Sequence, residues 1–190
     1  SDLLRLSLLF LACSVPVLMY EMVIKETDIF FLNQVFSFPF FAIIFSILGI
    51  VVTSNAWNFI DGLNGLSSGL GCAIIFLFSY IANIEGLFEL SEALLMISFC
   101  IFGFWIVNVA TSRIFLGDSG AYFIGLIIAI SGIELSNKSD QISAWMIFFI
   151  IIYPASEIIF TYFRRVFSRK SPLVADDKHL HSMLFIFFNK

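Results

Sequence analysis

The sequence predicts an all-α fold, a polytopic bundle of about six transmembrane helices, and three observations carry that prediction. Hydrophobic residues make up 60% of the 190 positions and charged residues 13%, with 25 phenylalanines and a mean hydropathy of +1.01. That leaves too few polar side chains to cover a water-facing surface. Apolar runs recur at close to the roughly 20 residues that a helix needs to cross a hydrocarbon core of about 30 Å. These runs also lack the polar–apolar alternation of a membrane barrel strand, so helix is expected throughout.

The expected spans cover residues 3–24, 38–54, 66–83, 93–110, 121–136 and 142–163. The first has Arg5 ahead of an apolar stretch ending in "LAC" and superficially resembles a signal peptide, but the apolar run continues well past that point. Breakers and charges collect in the connections "KETDIFFLNQ", "IEGLFELSE", "TSRIFLGDSG" and "SNKSDQ". Cys13, Cys72 and Cys100 lie far apart in apolar segments, without metal-type spacing, and are expected to be small buried packers. One integral-membrane domain is expected over 1–190, with a cytoplasmic basic and histidine-bearing loop over 164–190.

Charge sets the orientation. If the chain crosses at each run, Arg5, Arg113, Arg164, Arg165, Arg169, Lys170, Lys178 and Lys190 fall on one side, and only Lys25 and Lys138 on the other. The basic side is expected to be cytoplasmic. Glu26, Asp28, Glu85, Glu89, Glu92 and Asp140 fall opposite, where solvation accounts for them.

The same parity gathers three polar stretches on the basic side: "NAWNFIDGLNG", "RIFLGDSG" and "DDKHLHS". A transporter would place ionisable residues near the bilayer midplane, and Ser14, Asn108 and Glu157 form no evident midplane row. An enzyme joining a water-soluble substrate to a lipid would place them at the interface. Asn55, Asn58 and Asp61 recur every third residue and share about a third of a helix circumference. A polar packing seam helped by Gly62, Gly65 and Gly69 is one reading. Asp61 tilts the balance, because a carboxylate near hydrocarbon calls for cationic compensation.

In the second stretch Gly117 and Gly120 bracket Asp118 and Ser119, and either of these could cap the following helix. Asp61 and Asp118, two carboxylates from different loops, also suit a hard divalent cation such as Mg²⁺, whose shell water and phosphate oxygens would complete. The third stretch holds both histidines, His179 and His181. Their spacing supports zinc binding poorly, and with the arginines and lysines upstream they read as an anion-binding loop or as the basic tail that orientation alone requires.

Together "NAWNFIDGLNGL", "FLGDSGAYFIG" and "YPASEIIFTYFRR…SPLVADDKHLHS" resemble the polyprenyl-phosphate N-acetylhexosamine-1-phosphate transferase family. The His-Leu-His pattern is similar to the members that initiate O-antigen and enterobacterial common antigen. The resemblance implies transfer of a sugar 1-phosphate, an N-acetylhexosamine 1-phosphate as a class, from a UDP-sugar to undecaprenyl phosphate, with release of UMP. It implies Mg²⁺, with Mn²⁺ as a substitute, held by Asp118 and Asp61 as the catalytic carboxylates. It also implies substrate contacts from Asn55, Asn58, Arg113, Lys178, His179 and His181, and an acidic family position at Glu157. The setting it implies is a bacterial inner membrane with the site on the cytoplasmic face, and no nucleic acid partner.

Asn64 stands where other members have a second aspartate, and an aspartate pair on an earlier cytoplasmic loop of the family has no counterpart after Ser1. The chain is therefore expected to be a C-terminal portion of a longer enzyme and inactive by itself. Its exposed Phe and Ile faces suit lipid or a homodimer equally well. A catalytically inactive scaffold and, further off, a transporter stay open as other classes.

Overall fold

Hydrocarbon offers backbone N–H and C=O groups no partners, so a chain of this composition must satisfy them within its own helices. The computed structural model describes residues 2–167, in helices α1 (Asp2–Tyr20), α2 (Phe30–Phe36), α3 (Pro39–Ile60), α4 (Leu66–Ile84), α5 (Phe88–Thr111), α6 (Gly117–Lys138), α7 (Ala144–Ile150) and α8 (Ile152–Phe167). There is no strand among the described residues. Helices α3 to α6 are long and apolar enough to cross a membrane. At 1.5 Å per residue, the 22 residues of α3 and of α6 reach about 33 Å.

The helices of the second, fourth and fifth expected spans run longer than expected, α3 to Ile60, α5 from Phe88 and α6 from Gly117, and the first and last spans differ in course. The first ends at Tyr20 instead of residue 24, because Glu21 turns the chain with a φ of 54°. The segment after it gets its partners from side chains. The Ile24 N–H donates to Ser46 Oγ at 2.8 Å, the Lys25 N–H to Asn137 Oδ1 at 3.3 Å, and Asn137 Nδ2 donates to Val23 O at 2.7 Å. The last span is not one helix: α7 and α8 meet at a bend of 69°. Pro154 accounts for the break. It lacks an N–H, and its ring excludes a helical carbonyl at the residue four earlier, which is Ile150, the last of α7.

Helix α3 is central, flanked by α1, α6 and α8, while α4 packs against α6 and α3 and pairs antiparallel with α5 on its other side. One core joins Trp57, Phe78, Ile124 and Ile128, and a second joins Cys13, Ile50 and Ile133. The α3–α6 crossing is close enough to require glycine. A Cβ on Gly125 would lie 2.6 Å from Ser54 Cα and 3.0 Å from Thr53 O, both backbone atoms. The outer faces carry large exposed apolar side chains, among them Phe40, Met96, Phe99 and Phe115, as lipid contact demands. The cysteines split accordingly: Cys13 is buried, Cys72 half-buried, and Cys100 exposed, so the expectation that all three are buried packers holds fully only for Cys13.

The two ends of the bundle sort as charge parity requires. Arg5, Asp61, Arg113 and Asp118 belong to one end. Glu85 and Ser139, hydrogen-bonded at 2.5 Å, belong to the other with Lys25 and Asn137.

Candidate active site

Helix α3 delivers the first carboxylate by stopping. Ile60 is its last residue, and Asp61 follows as the C-cap with its N–H donating to Asn58 O at 3.4 Å. The chain reverses through Gly65, whose φ is +81°, and a side chain there would run into Val109. Trp105 of α5 fixes this turn by donating its indole N–H to Gly65 O at 3.1 Å.

The second carboxylate depends on a buried amide. Asn108, 3% exposed, donates Nδ2 to Ile114 O at 2.6 Å and accepts the Ser112 N–H on its backbone oxygen at 2.9 Å. These bonds hold the 112–116 turn, in which Ser112 has a φ of 52°, against the end of α5. Helix α6 then starts at Gly117 and places Asp118 in its first turn. No side chain caps α6; Leu116 is the N-cap residue, so the expected capping role of Asp118 or Ser119 is not the one found.

Asp118 instead bridges helices. Its Oδ1 accepts from Asn58 Nδ2 of α3 at 3.0 Å, and its Oδ2 accepts from Arg5 Nη1 of α1 at 3.0 Å. Asp61 feels Asp118 as a like charge. Burial first, and the Asp118 charge second, push the Asp61 carboxyl from 3.8 to about 6, while a hydrogen bond from the Gly117 backbone pulls the other way. The cation expected beside Asp61 is thus found on Asp118, and Asp61 is left with a carboxylate neighbour.

This arrangement suits a divalent cation in its donor chemistry. No cluster of three or more metal-capable side chains exists among the described residues. Mg²⁺ commonly takes only one or two carboxylates, with waters and phosphate oxygens supplying the rest. A carboxylate offers about four lone-pair directions, so the two protein donors on Asp118 leave room for a metal bond. A cation would also relieve the repulsion that raises Asp61.

The remaining expected residues are placed differently. Asn55 lies half-buried one turn deeper on α3 and makes no side-chain hydrogen bond among the described residues. Arg113 is exposed in the α5–α6 turn and makes no ion pair among the described residues. Lys178, His179 and His181 lie outside the described residues. Glu157 is fully buried on α8. Arg5 and Asn108 were not expected at the site. Arg5 was legible only as a basic residue on the same side, and Asn108 only as an isolated polar residue in a span.

A multi-helix membrane bundle with a carboxylate pair where two reversals meet defines a class of integral-membrane protein with an interfacial polar site. The sequence profile of glycosyl transferase family 4 matches residues 1–136, which include both carboxylates, and the chain belongs to that family. It is 32% identical over 83% of its length to a probable undecaprenyl-phosphate N-acetylglucosaminyl 1-phosphate transferase of Bacillus subtilis, covering 44% of that protein. An undecaprenyl-phosphate alpha-N-acetylglucosaminyl 1-phosphate transferase of Thermotoga maritima is 30% identical over 73% of the chain, which covers 41% of it. A phospho-N-acetylmuramoyl-pentapeptide-transferase of Campylobacter hominis is 29% identical over 57% of the chain and is covered to 35%. The chain thus spans less than half the length of these relatives. No solved structure matches it.

Proposed function

We propose that this chain forms the catalytic end of a phosphoglycosyl transferase that passes a sugar 1-phosphate from a UDP-sugar to undecaprenyl phosphate and releases UMP. The observation that carries this reading is the juxtaposition of Asp61, at the end of α3, with Asp118, at the start of α6, where Asn58 orients Asp118 and Arg5 pairs with it. The names of the relatives favour N-acetylglucosamine 1-phosphate as the transferred group. The excess of basic residues at this end favours the cytoplasmic face of a bacterial inner membrane.

In the reaction an oxygen of the lipid phosphate attacks the sugar-bearing phosphorus of the UDP-sugar. The bond from that phosphorus to the bridging oxygen breaks, UMP leaves with the electron pair, and a lipid-linked pyrophosphoryl sugar forms. The nucleophile is already anionic, so the work of the site is to bring like charges together. Mg²⁺, held by Asp61 and Asp118, would supply charge neutralisation on the diphosphate and the leaving group. Asn58 keeps Asp118 oriented. Arg113, Lys178, His179 and His181 hold phosphate oxygens, and Asn55 contacts substrate from the deeper turn of α3.

The test uses membranes containing the protein expressed from its complete coding sequence, supplied with radiolabelled UDP-N-acetylglucosamine and undecaprenyl phosphate. A labelled, organic-extractable pyrophosphoryl lipid that disappears on chelation with EDTA is expected. No labelled lipid with any UDP-N-acetylhexosamine would refute the reading.

A further inference from the structure

We propose that Arg5 is an exchangeable counter-cation: a divalent ion arriving at Asp61 and Asp118 displaces its guanidinium, which then binds a phosphate oxygen of the substrate. This inference rests on the reading of the two aspartates as a divalent-cation pair.

Three helices meet at Asp118, and the two donors that hold it differ in kind. Asn58 on α3 is neutral and takes Oδ1 at 3.0 Å; Arg5 on α1 is charged and takes Oδ2 at 3.0 Å. The Asn58 amide bond persists beside a metal, because it uses one lone pair and adds no positive charge. Arg5 is different, since its guanidinium and a divalent ion compete for the same carboxylate charge. The Arg5 and Asp118 side chains are 48% and 58% exposed. An ion pair that open to water is weakly held and readily exchanged.

The charge balance gives the exchange its direction. With both carboxylates ionised, Arg5 leaves one excess negative charge, which repels a diphosphate. A divalent ion turns that into one excess positive charge, which attracts it. Arg5 suits the second role through its shape. The guanidinium carries five N–H donors in a fixed fork, one of which contacts Asp118, and such a fork matches phosphate oxygens in pairs. The order of binding follows: cation first, anionic substrate second.

The experiment uses the purified protein in lipid nanodiscs, with Mn²⁺ binding followed by electron paramagnetic resonance and UMP binding measured at saturating Mn²⁺. Arg5→Gln removes the competitor, so Mn²⁺ should bind about two- to fivefold more tightly, the range an exposed ion pair allows. UMP should bind at least about tenfold more weakly, the loss of a charged hydrogen bond. Arg5→Lys keeps the charge without the fork and should restore the wild-type Mn²⁺ affinity while recovering UMP binding only in part. Opposite shifts for the two ligands separate this from a structural role, in which misfolding weakens both. If Mn²⁺ binding is absent, or survives Asp118→Ala unchanged, the metal reading fails and the exchange with it. If Asp118→Ala abolishes Mn²⁺ binding but Arg5→Gln weakens it or leaves either constant unchanged, the exchange alone is overturned.

Discussion

Replacing Asp118 by Asn should lower the pKa of Asp61 without returning it to normal. Asp61 titrates at about 6 instead of 3.8, with burial the larger cause and the Asp118 charge the smaller. The substitution removes the smaller cause and also frees Arg5, whose positive charge favours the Asp61 carboxylate. Both changes act downward, and burial remains, so the midpoint should fall between 3.8 and about 6. The sign for stability follows from proton counting. Between those values the folded wild type holds a proton that the unfolded chain has lost, so wild-type stability falls as pH rises through the window. Asp118→Asn narrows the window and flattens the slope. Isotope-edited infrared spectroscopy of the Asp61 carboxyl band, recorded in detergent micelles from pH 3 to 8 without divalent metal, reads the midpoint directly. An unchanged or raised midpoint would refute the claim that the two carboxylates share a site.

Three further outcomes are expected. Gly125→Ala should destabilise the bundle by about 1–3 kcal/mol, because the new Cβ meets backbone. Gly49→Ala, with nothing within 4 Å, should be neutral or stabilising, and thermal unfolding of both variants checks the contrast. Asn108→Leu should loosen the 112–116 turn and weaken Mn²⁺ binding at Asp118 with little change in helicity, read by electron paramagnetic resonance and circular dichroism. Ser79 and Ser91 exchange hydroxyl-to-carbonyl bonds of 2.8 and 2.9 Å between α4 and α5, and the double Ala variant should lower stability by about 1–2 kcal/mol with Mn²⁺ affinity intact.

The sequence exposed the spans because long apolar runs separated by breakers leave few alternatives in a bilayer. It brought Asp61 and Asp118 to one end because crossing parity depends only on the number of spans between them. Other features depend on how helices face one another, which composition does not encode. Arg5 and Asp118 are 113 residues apart, and their ion pair follows from the rotational setting of α1 against α6. Asp118 has the residue type of a cap but lies in the first turn of α6, two residues past the N-cap Leu116, and a partner on another helix claims each of its oxygens. The α7–α8 break was written in Pro154, but an unbroken apolar run hid it. Helix α2 lies in a connection read as a loop, too short to announce itself by periodicity.

The proposal that Asp61 and Asp118 act as one cation-holding pair in sugar-1-phosphate transfer is tested most directly by Mg²⁺-dependent UMP release from UDP-N-acetylglucosamine and undecaprenyl phosphate by the protein expressed from its complete coding sequence, compared with Asp61→Ala and Asp118→Ala. Release by the wild type is expected, with a loss of at least about a hundredfold in either variant, the scale on which removing a transition-state charge stabiliser slows an enzyme. Undiminished release by both variants would contradict the proposal.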